Sequence, residues 1–161
     1  NYKYYCMKLK NKNFFLFFLI ILFLNNCGFS PMYKNINDLD FSILIAEVIG
    51  NKKINDKIKS KLNSYKTDNA NKTYEINIIS KYNKNILTKD LTGAATEYKI
   101  IIETKFYVKS ENFEKELNYT ESFNMQSFND KLEEQDYEDS IQESLTNIIS
   151  RKLILQLSQI K

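Results

Sequence analysis

The chain has no histidine, no tryptophan, one proline, three glycines and two cysteines among its 161 residues. Without histidine, the usual neutral-pH general base and the commonest metal ligand are missing, so Ser-His-Asp and Cys-His catalytic arrangements are excluded. Cys6 and Cys27 supply neither a zinc ligand set nor a disulfide framework, and no metal or cofactor is expected. One-signed charge is scarce as well. The chain carries 23 basic and 20 acidic residues, but four of the lysines and no acid fall in residues 1–26. That leaves 19 basic against 20 acidic residues in the remainder, a body too near neutrality for the broad positive field that nucleic acid requires. At this length one compact domain is expected.

What is present begins with a targeting signature. Met7-Lys8-Leu9-Lys10-Asn11-Lys12-Asn13 is short and basic, and Phe14 to Leu24 then runs through 11 apolar residues without a break. A membrane-spanning helix needs about 20 such residues, whereas this run has the length of a secretory signal core. The expected start is Met7, with Asn1 to Cys6 upstream of it. The rival readings of the run are a buried core helix and a short membrane anchor. Against both, Leu24-Asn25-Asn26-Cys27 sets a cysteine directly after it, where a bacterial lipobox has its acceptor, although small residues more usually precede that cysteine than Asn25 and Asn26. Lipidation at Cys27 would hold the mature chain on a membrane, since each buried CH2 contributes about 0.8 kcal/mol. Residues 1–26 are therefore read as extension and signal, 27–40 as a lipidated linker, and 41–161 as the folded domain.

The body alternates between two hydrophobic periods. Phe41 to Ile49 is apolar on both faces and β-branched, which suits a buried strand. Ile54, Ile58, Leu62 and Tyr65 recur at helical spacing within an expected helix from Lys52 to Lys66, its outer lysines (Lys53, Lys57, Lys59, Lys61) read as solvated. From Tyr74 the period is two, with an interruption expected at Asn83-Lys84-Asn85. The clearest strand follows Gly93, with Tyr98, Ile100, Ile102, Thr104, Phe106 and Val108 on its packed face. Ser110-Glu111-Asn112 turns into a strand bearing Phe113, Leu117, Tyr119, Phe123 and Met125. From about Asn129 a second helix carries Tyr137, Ile141, Leu145, Ile149, Leu153 and Leu157, widened by Ile148 and Leu155. Its acids crowd the start on the polar side, and Arg151, Lys152 and Lys161 mark the end, the order a helix dipole favours. The fold class is thus α+β in the order β-α-β-β-β-α: a four-stranded sheet with both helices on one face. The acids, including Glu75, Glu97 and Glu103, carry no spacing that demands the paired carboxylates of a glycan hydrolase, so an enzyme is not expected.

Cys27-Gly28-Phe29-Ser30-Pro31-Met32-Tyr33 resembles the start of the mature lipopolysaccharide-assembly lipoproteins of the LptE family, where a lipidated Cys-Gly-Phe precedes Pro-x-Tyr. Asp90-Leu91-Thr92-Gly93-Ala94-Ala95-Thr96-Glu97-Tyr98 is similar to that family's Thr/Ala-rich lead into its central strand, and the long terminal helix fits too. The resemblance implies a non-enzymatic lipoprotein on the periplasmic side of the outer membrane. In the family, such a domain plugs the β-barrel of the translocon protein LptD, supports its assembly and contacts lipopolysaccharide in transit. Gly28 after the cysteine, rather than Asp, agrees with outer-membrane sorting. Candidate contacts to glycolipid phosphates are Lys89 and Lys99, with Lys81 and Lys84 at the end of the neighbouring strand. The alternative is another periplasmic-facing lipoprotein, such as an auxiliary subunit of a lipid-transport ABC system.

Overall fold

The elements follow the expected order: β1 (Phe41–Gly50), α1 (Lys52–Asn63), β2 (Lys72–Lys89), β3 (Ala95–Ser110), β4 (Phe113–Gln126) and α2 (Lys131–Ser158). The computed structural model describes residues 41–67 and 70–160, so Cys27 and the whole targeting segment lie outside the described residues. The four strands form one sheet in the order β1-β2-β3-β4. β1 runs parallel to β2, from Phe41 opposite Lys72 to Gly50 opposite Ser80, and the other two pairings are antiparallel.

A parallel pair needs a crossover, and α1 supplies it. The chain turns into α1 at Gly50, whose φ of +104° lies where side-chain-bearing residues are strained. The Ser80 backbone also passes so close that a Cβ on Gly50 would stand 1.9 Å from its carbonyl oxygen. Asn51 then caps the helix, its Oδ1 accepting from the Ile54 amide at 3.0 Å. Ile54, Ile58 and Leu62 are buried at the expected spacing. The helix stops at Asn63 rather than Lys66, because the following residues stitch down the edge of β1. The Tyr65 carbonyl accepts from the Ile43 amide at 3.2 Å, and the Thr67 amide donates to Ser42 Oγ at 3.0 Å.

β2 corrects a second expectation, for it does not break at Asn83-Lys84-Asn85. Those residues sit opposite Ile101, Ile100 and Lys99 of β3, and the strand continues to Lys89. Ladder pairing along β3 and the anchoring of Lys84 beneath α2 outweigh the weak strand preference of asparagine. Past Ser80, β2 leaves β1 behind, so Lys81–Lys89 form an arm of about 30 Å with β3 alone beside it.

The core lies between the sheet and the two helices. Tyr74, Ile76 and Ile78 of β2 and Ile100, Ile102 and Phe106 of β3 are wholly buried, beneath Ile149 and Leu153 of α2. Asp130 caps α2 by accepting from the amides of Leu132 (2.8 Å) and Glu133 (3.3 Å), and Glu133 and Glu134 occupy the first turn. No basic residue lies in the last turn, so the expected dipole pairing exists at one end only. Of the expected apolar stripe, Ile141, Leu145, Ile149, Leu153 and Leu157 are buried, but Tyr137, Ile148 and Leu155 are 40%, 38% and 44% exposed. They fall on the flank of α2 above β4.

Candidate interaction surface

Two surfaces flank the core, and strand alternation assigns side chains to each. The face under the helices holds an ionic cluster. Glu134, Glu138, Gln142, Thr146 and Ser150 recur every four residues on α2, a polar seam beside the apolar stripe, with Glu134, Gln142, Thr146 and Ser150 buried. From β2, Lys84 reaches Glu138 at 2.7 Å and Glu134 at 3.2 Å, with its ammonium 4.3 Å from the centroid of the Tyr98 ring. The Tyr82 hydroxyl donates to Glu138, and the Gln142 amide donates to the same carboxylate at 3.2 Å. The Phe128 amide, donating to Glu134 at 3.0 Å, together with Lys84 and Lys131 holds that carboxyl below its ordinary value. Burial works against charging Lys84, but its bonds to Glu138 and Glu134 prevail and raise its pKa. Burial, reinforced by Glu138, pushes the Tyr82 phenol up.

This cluster corrects two readings. Lys81 and Lys84 do not act together: Lys81 projects from the open face, while Lys84 is consumed beneath α2. The acids opening α2 are not all on a polar side, since Glu134 is buried. The outer lysines of α1 are likewise not merely solvated. Lys53 pairs with Asp139, and Lys57 and Lys61 reach Glu143 at 3.2 and 3.1 Å, tying the two helices together. The periodicity showed which helix positions are apolar, but only the packing brings these acids and lysines into register.

The opposite face of the sheet has no helix over it among the described residues. Rows across β2, β3 and β4 read Asn85-Lys99-Asn124, Asn83-Ile101-Ser122, Lys81-Glu103-Thr120, Ile79-Lys105-Asn118 and Asn77-Tyr107-Glu116. Amide and hydroxyl side chains dominate, and opposite charges adjoin. Lys105 pairs with Glu116 at 2.8 Å, and Asn118 donates to the same carboxylate at 2.9 Å. The Glu116 bond raises the Lys105 pKa, and the Lys105 bond lowers that of Glu116. The face is broad, wet and rich in groups that both donate and accept.

At the end of the arm, the 90–94 turn is tightly built. Asp90 Oδ1 accepts from the Thr92 amide (2.8 Å), the Thr92 hydroxyl (2.6 Å) and the Ala94 amide (3.0 Å), while Gly93 takes a φ of +88°. The Thr92 hydroxyl bond, then the amides, keep the Asp90 carboxyl below its ordinary value. Thr88 and Thr96 share a hydroxyl bond of 2.8 Å just behind the turn. Leu91 stands fully exposed at the tip. The predicted Lys89 closes β2 opposite Ala95, and Lys99 lies four residues further along β3, opposite Asn85. The two ammonium groups are on the same arm but in different rows, and neither has a hydrogen-bond or ion-pair partner among the described residues. Cys27 falls outside them.

Four strands in one antiparallel-dominated sheet under two helices make this a two-layer α+β sandwich, open on one face among the described residues. No protein-family model and no curated protein matches the chain. Among solved structures, it is similar to the rare lipoprotein B from Shewanella oneidensis, at a TM-score of 0.54 and 13% identity, covering 70% of this chain and 94% of that one. A second is the uncharacterized lipoprotein B from Nitrosomonas europaea, at a TM-score of 0.46 and 12% identity, covering 74% of this chain and 86% of that one. At such identity the first likeness establishes the shared fold.

Proposed function

We propose that the chain is a non-enzymatic outer-membrane lipoprotein, acylated at Cys27, that plugs an LptD-type β-barrel from the periplasmic side and supports its assembly. In this reading it also contacts lipopolysaccharide on the way to the cell surface. The observation that carries the reading is the open sheet face. A barrel lumen is lined by alternate polar side chains and water, and the Asn, Thr, Ser and paired-charge rows of β2 to β4 offer donors and acceptors across that width. The Cys27-to-Tyr33 resemblance and the fold shared with a protein named rare lipoprotein B support it. Lys89 and Lys99, unpaired on the arm, are the residues assigned to glycolipid phosphate.

Affinity purification of the tagged full chain from membranes tests the proposal. Co-recovery of one large outer-membrane barrel is the expected outcome, and recovery with an inner-membrane permease, or with no barrel, overturns it. Cys27→Ser should shift the protein from the membrane to the soluble fraction. Lys89→Glu, at the end of the arm and outside the rows of the open face, should weaken lipopolysaccharide retention while leaving the barrel bound.

A further inference from the structure

β1 and the outer flank of α1 enclose a half-open groove of about 240 Å³. Ile43, Ile45 and Val48 form its apolar floor, the last two only partly covered by the core. β1 bulges between Ile45 and Glu47, and the bulge residue is Ala46, whose single methyl leaves the groove unfilled. Lys59, Asn63 and Lys66 supply the wall from the helix side.

The lysines of this helix divide between two flanks. Lys53, Lys57 and Lys61 turn towards α2 and are answered by Asp139 and Glu143. Lys52, Lys59 and Lys66 recur every seven residues, about two helical turns, on the other flank. The Tyr65 and Lys66 amides, donating to the Leu62 and Asn63 carbonyls, carry that turn past the helix end. Asp56 is the one acid on α1, and none of these three lysines has a hydrogen-bond or ion-pair partner among the described residues. Lys59 is nonetheless half-buried, its stem beside apolar side chains. A cation placed so, with no counter-charge from its own chain among the described residues, is completed by an anion from outside.

We infer that the groove takes an anionic phospholipid, with part of an acyl chain over Ile45 and Val48 and the phosphate between Lys59 and Lys66. The apolar floor and the cationic wall match the two ends of such a molecule. Inorganic phosphate would leave Ile45 and Val48 bare, and a neutral lipid would leave both lysines unanswered. The source of the lipid rests on the reading that Cys27 is acylated. The Ile43 end of the groove is two residues from Phe41, where the linker enters, and the 14 residues from Cys27 to Asp40 span at most about 50 Å. A tether of that length keeps the lipids of the anchoring leaflet at high effective concentration beside the groove. The site is distinct from Lys89 and Lys99, which lie on the arm where β2 has left β1 behind.

Photolabelling of the full chain in neutral detergent micelles tests the inference. The probe is phosphatidylglycerol with a photoreactive acyl chain, and the control is phosphatidylcholine carrying the same chain. Peptide mapping after irradiation should place the phosphatidylglycerol adducts on residues 41–50 and 59–66. They should exceed those of phosphatidylcholine roughly tenfold, the scale two lysines contribute beside an anionic lipid. Lys59→Gln with Lys66→Gln should remove most of that excess, and Lys59→Arg with Lys66→Arg should keep it. Lys52→Gln, on the same flank but off the groove, should leave it intact. Equal labelling by the two lipids, an equal loss with Lys52→Gln, or displacement by lipopolysaccharide at the same concentration overturns the inference. So does the absence of adducts on these segments, the result expected if Asp38 and Asp40 of the linker answer the two lysines instead. Cys27→Ser removes the anchor and should leave labelling in micelles unchanged. Failure of the acylation or of the barrel co-purification therefore leaves this test standing.

Discussion

Replacing Lys84 with methionine tests whether the ionic cluster beneath α2 holds the helix to the sheet. Methionine keeps most of the aliphatic stem against Tyr98 but removes the ammonium from between Glu134 and Glu138, whose side chains are only 8% and 18% exposed. Stripping one partner from a fully buried ion pair costs about 3–5 kcal/mol, because the remaining charges are left uncompensated. Lys84 itself is 24% exposed and Glu134 keeps the Phe128 amide, so the expected loss at pH 7.5 is smaller, about 2–3 kcal/mol. For a body of this size that lowers Tm by roughly 6–15 °C. The effect should depend on pH with a definite sign. In the native chain the Glu134 pKa is lowered from 4.5, so its contribution is present above that value and lost as pH falls through the folded pKa. The deficit of Lys84→Met should therefore shrink in acid, as the Glu134 carboxyl loses the charge that needs the ammonium. Urea unfolding followed by circular dichroism at pH 7.5 and pH 3.5 measures both. A loss under about 0.5 kcal/mol at pH 7.5, the ordinary scale of an exposed pair, or an equal loss at both pH values, would refute the reasoning.

Other substitutions separate the remaining contributions. Gly50→Ala should cost several kcal/mol, since the new Cβ would meet the Ser80 carbonyl at 1.9 Å and the φ of +104° adds strain; Gly93→Ala, at φ +88° in open space, should cost only about 1–2 kcal/mol, both read by urea titration. Asp130→Ala removes the cap that accepts from Leu132 and Glu133 and should lower stability by about 1 kcal/mol, measured the same way, with Asp130→Asn recovering most of it. Ile102→Ala, at a wholly buried site between the sheet and α2, should cost about 2–5 kcal/mol, and a loss below 1 kcal/mol would mean the core relaxes around it.

How far the sequence could be read depends on which interactions set each feature. The element order and the packed face of β3 follow from the two hydrophobic periods, because burial of Ile100, Ile102 and Phe106 is itself a period-two property. Where polar contacts decide, the pattern is silent. Asn83-Lys84-Asn85 looks like a break, yet Lys84 is among the most tightly held residues of the strand, since its partners lie 50 and 54 residues away on α2. The polar seam from Glu134 to Ser150 runs beside the leucines and isoleucines of α2 and adds nothing to a hydrophobic periodicity, although it packs against Tyr82 and Lys84. Lys89 and Lys99 were legible as cations near a turn. That neither has a partner among the described residues shows only in the structure, where Lys53, Lys57, Lys61, Lys84, Lys105 and Lys152 are engaged.

The same contrast explains why Ile148 and Leu155, by spacing alone, belong to a buried stripe. Helical spacing reports that a side chain would gain from cover, but not whether the cover belongs to the same molecule. α2 is flanked by α1 on one side, where Asp139 and Glu143 meet lysines, and by the edge of the sheet on the other. A four-stranded sheet ends under that second flank, and the apolar positions continue past the point where the described residues have anything left to set against them. Among the described residues, the demand of this isoleucine and leucine for cover is left partly unmet.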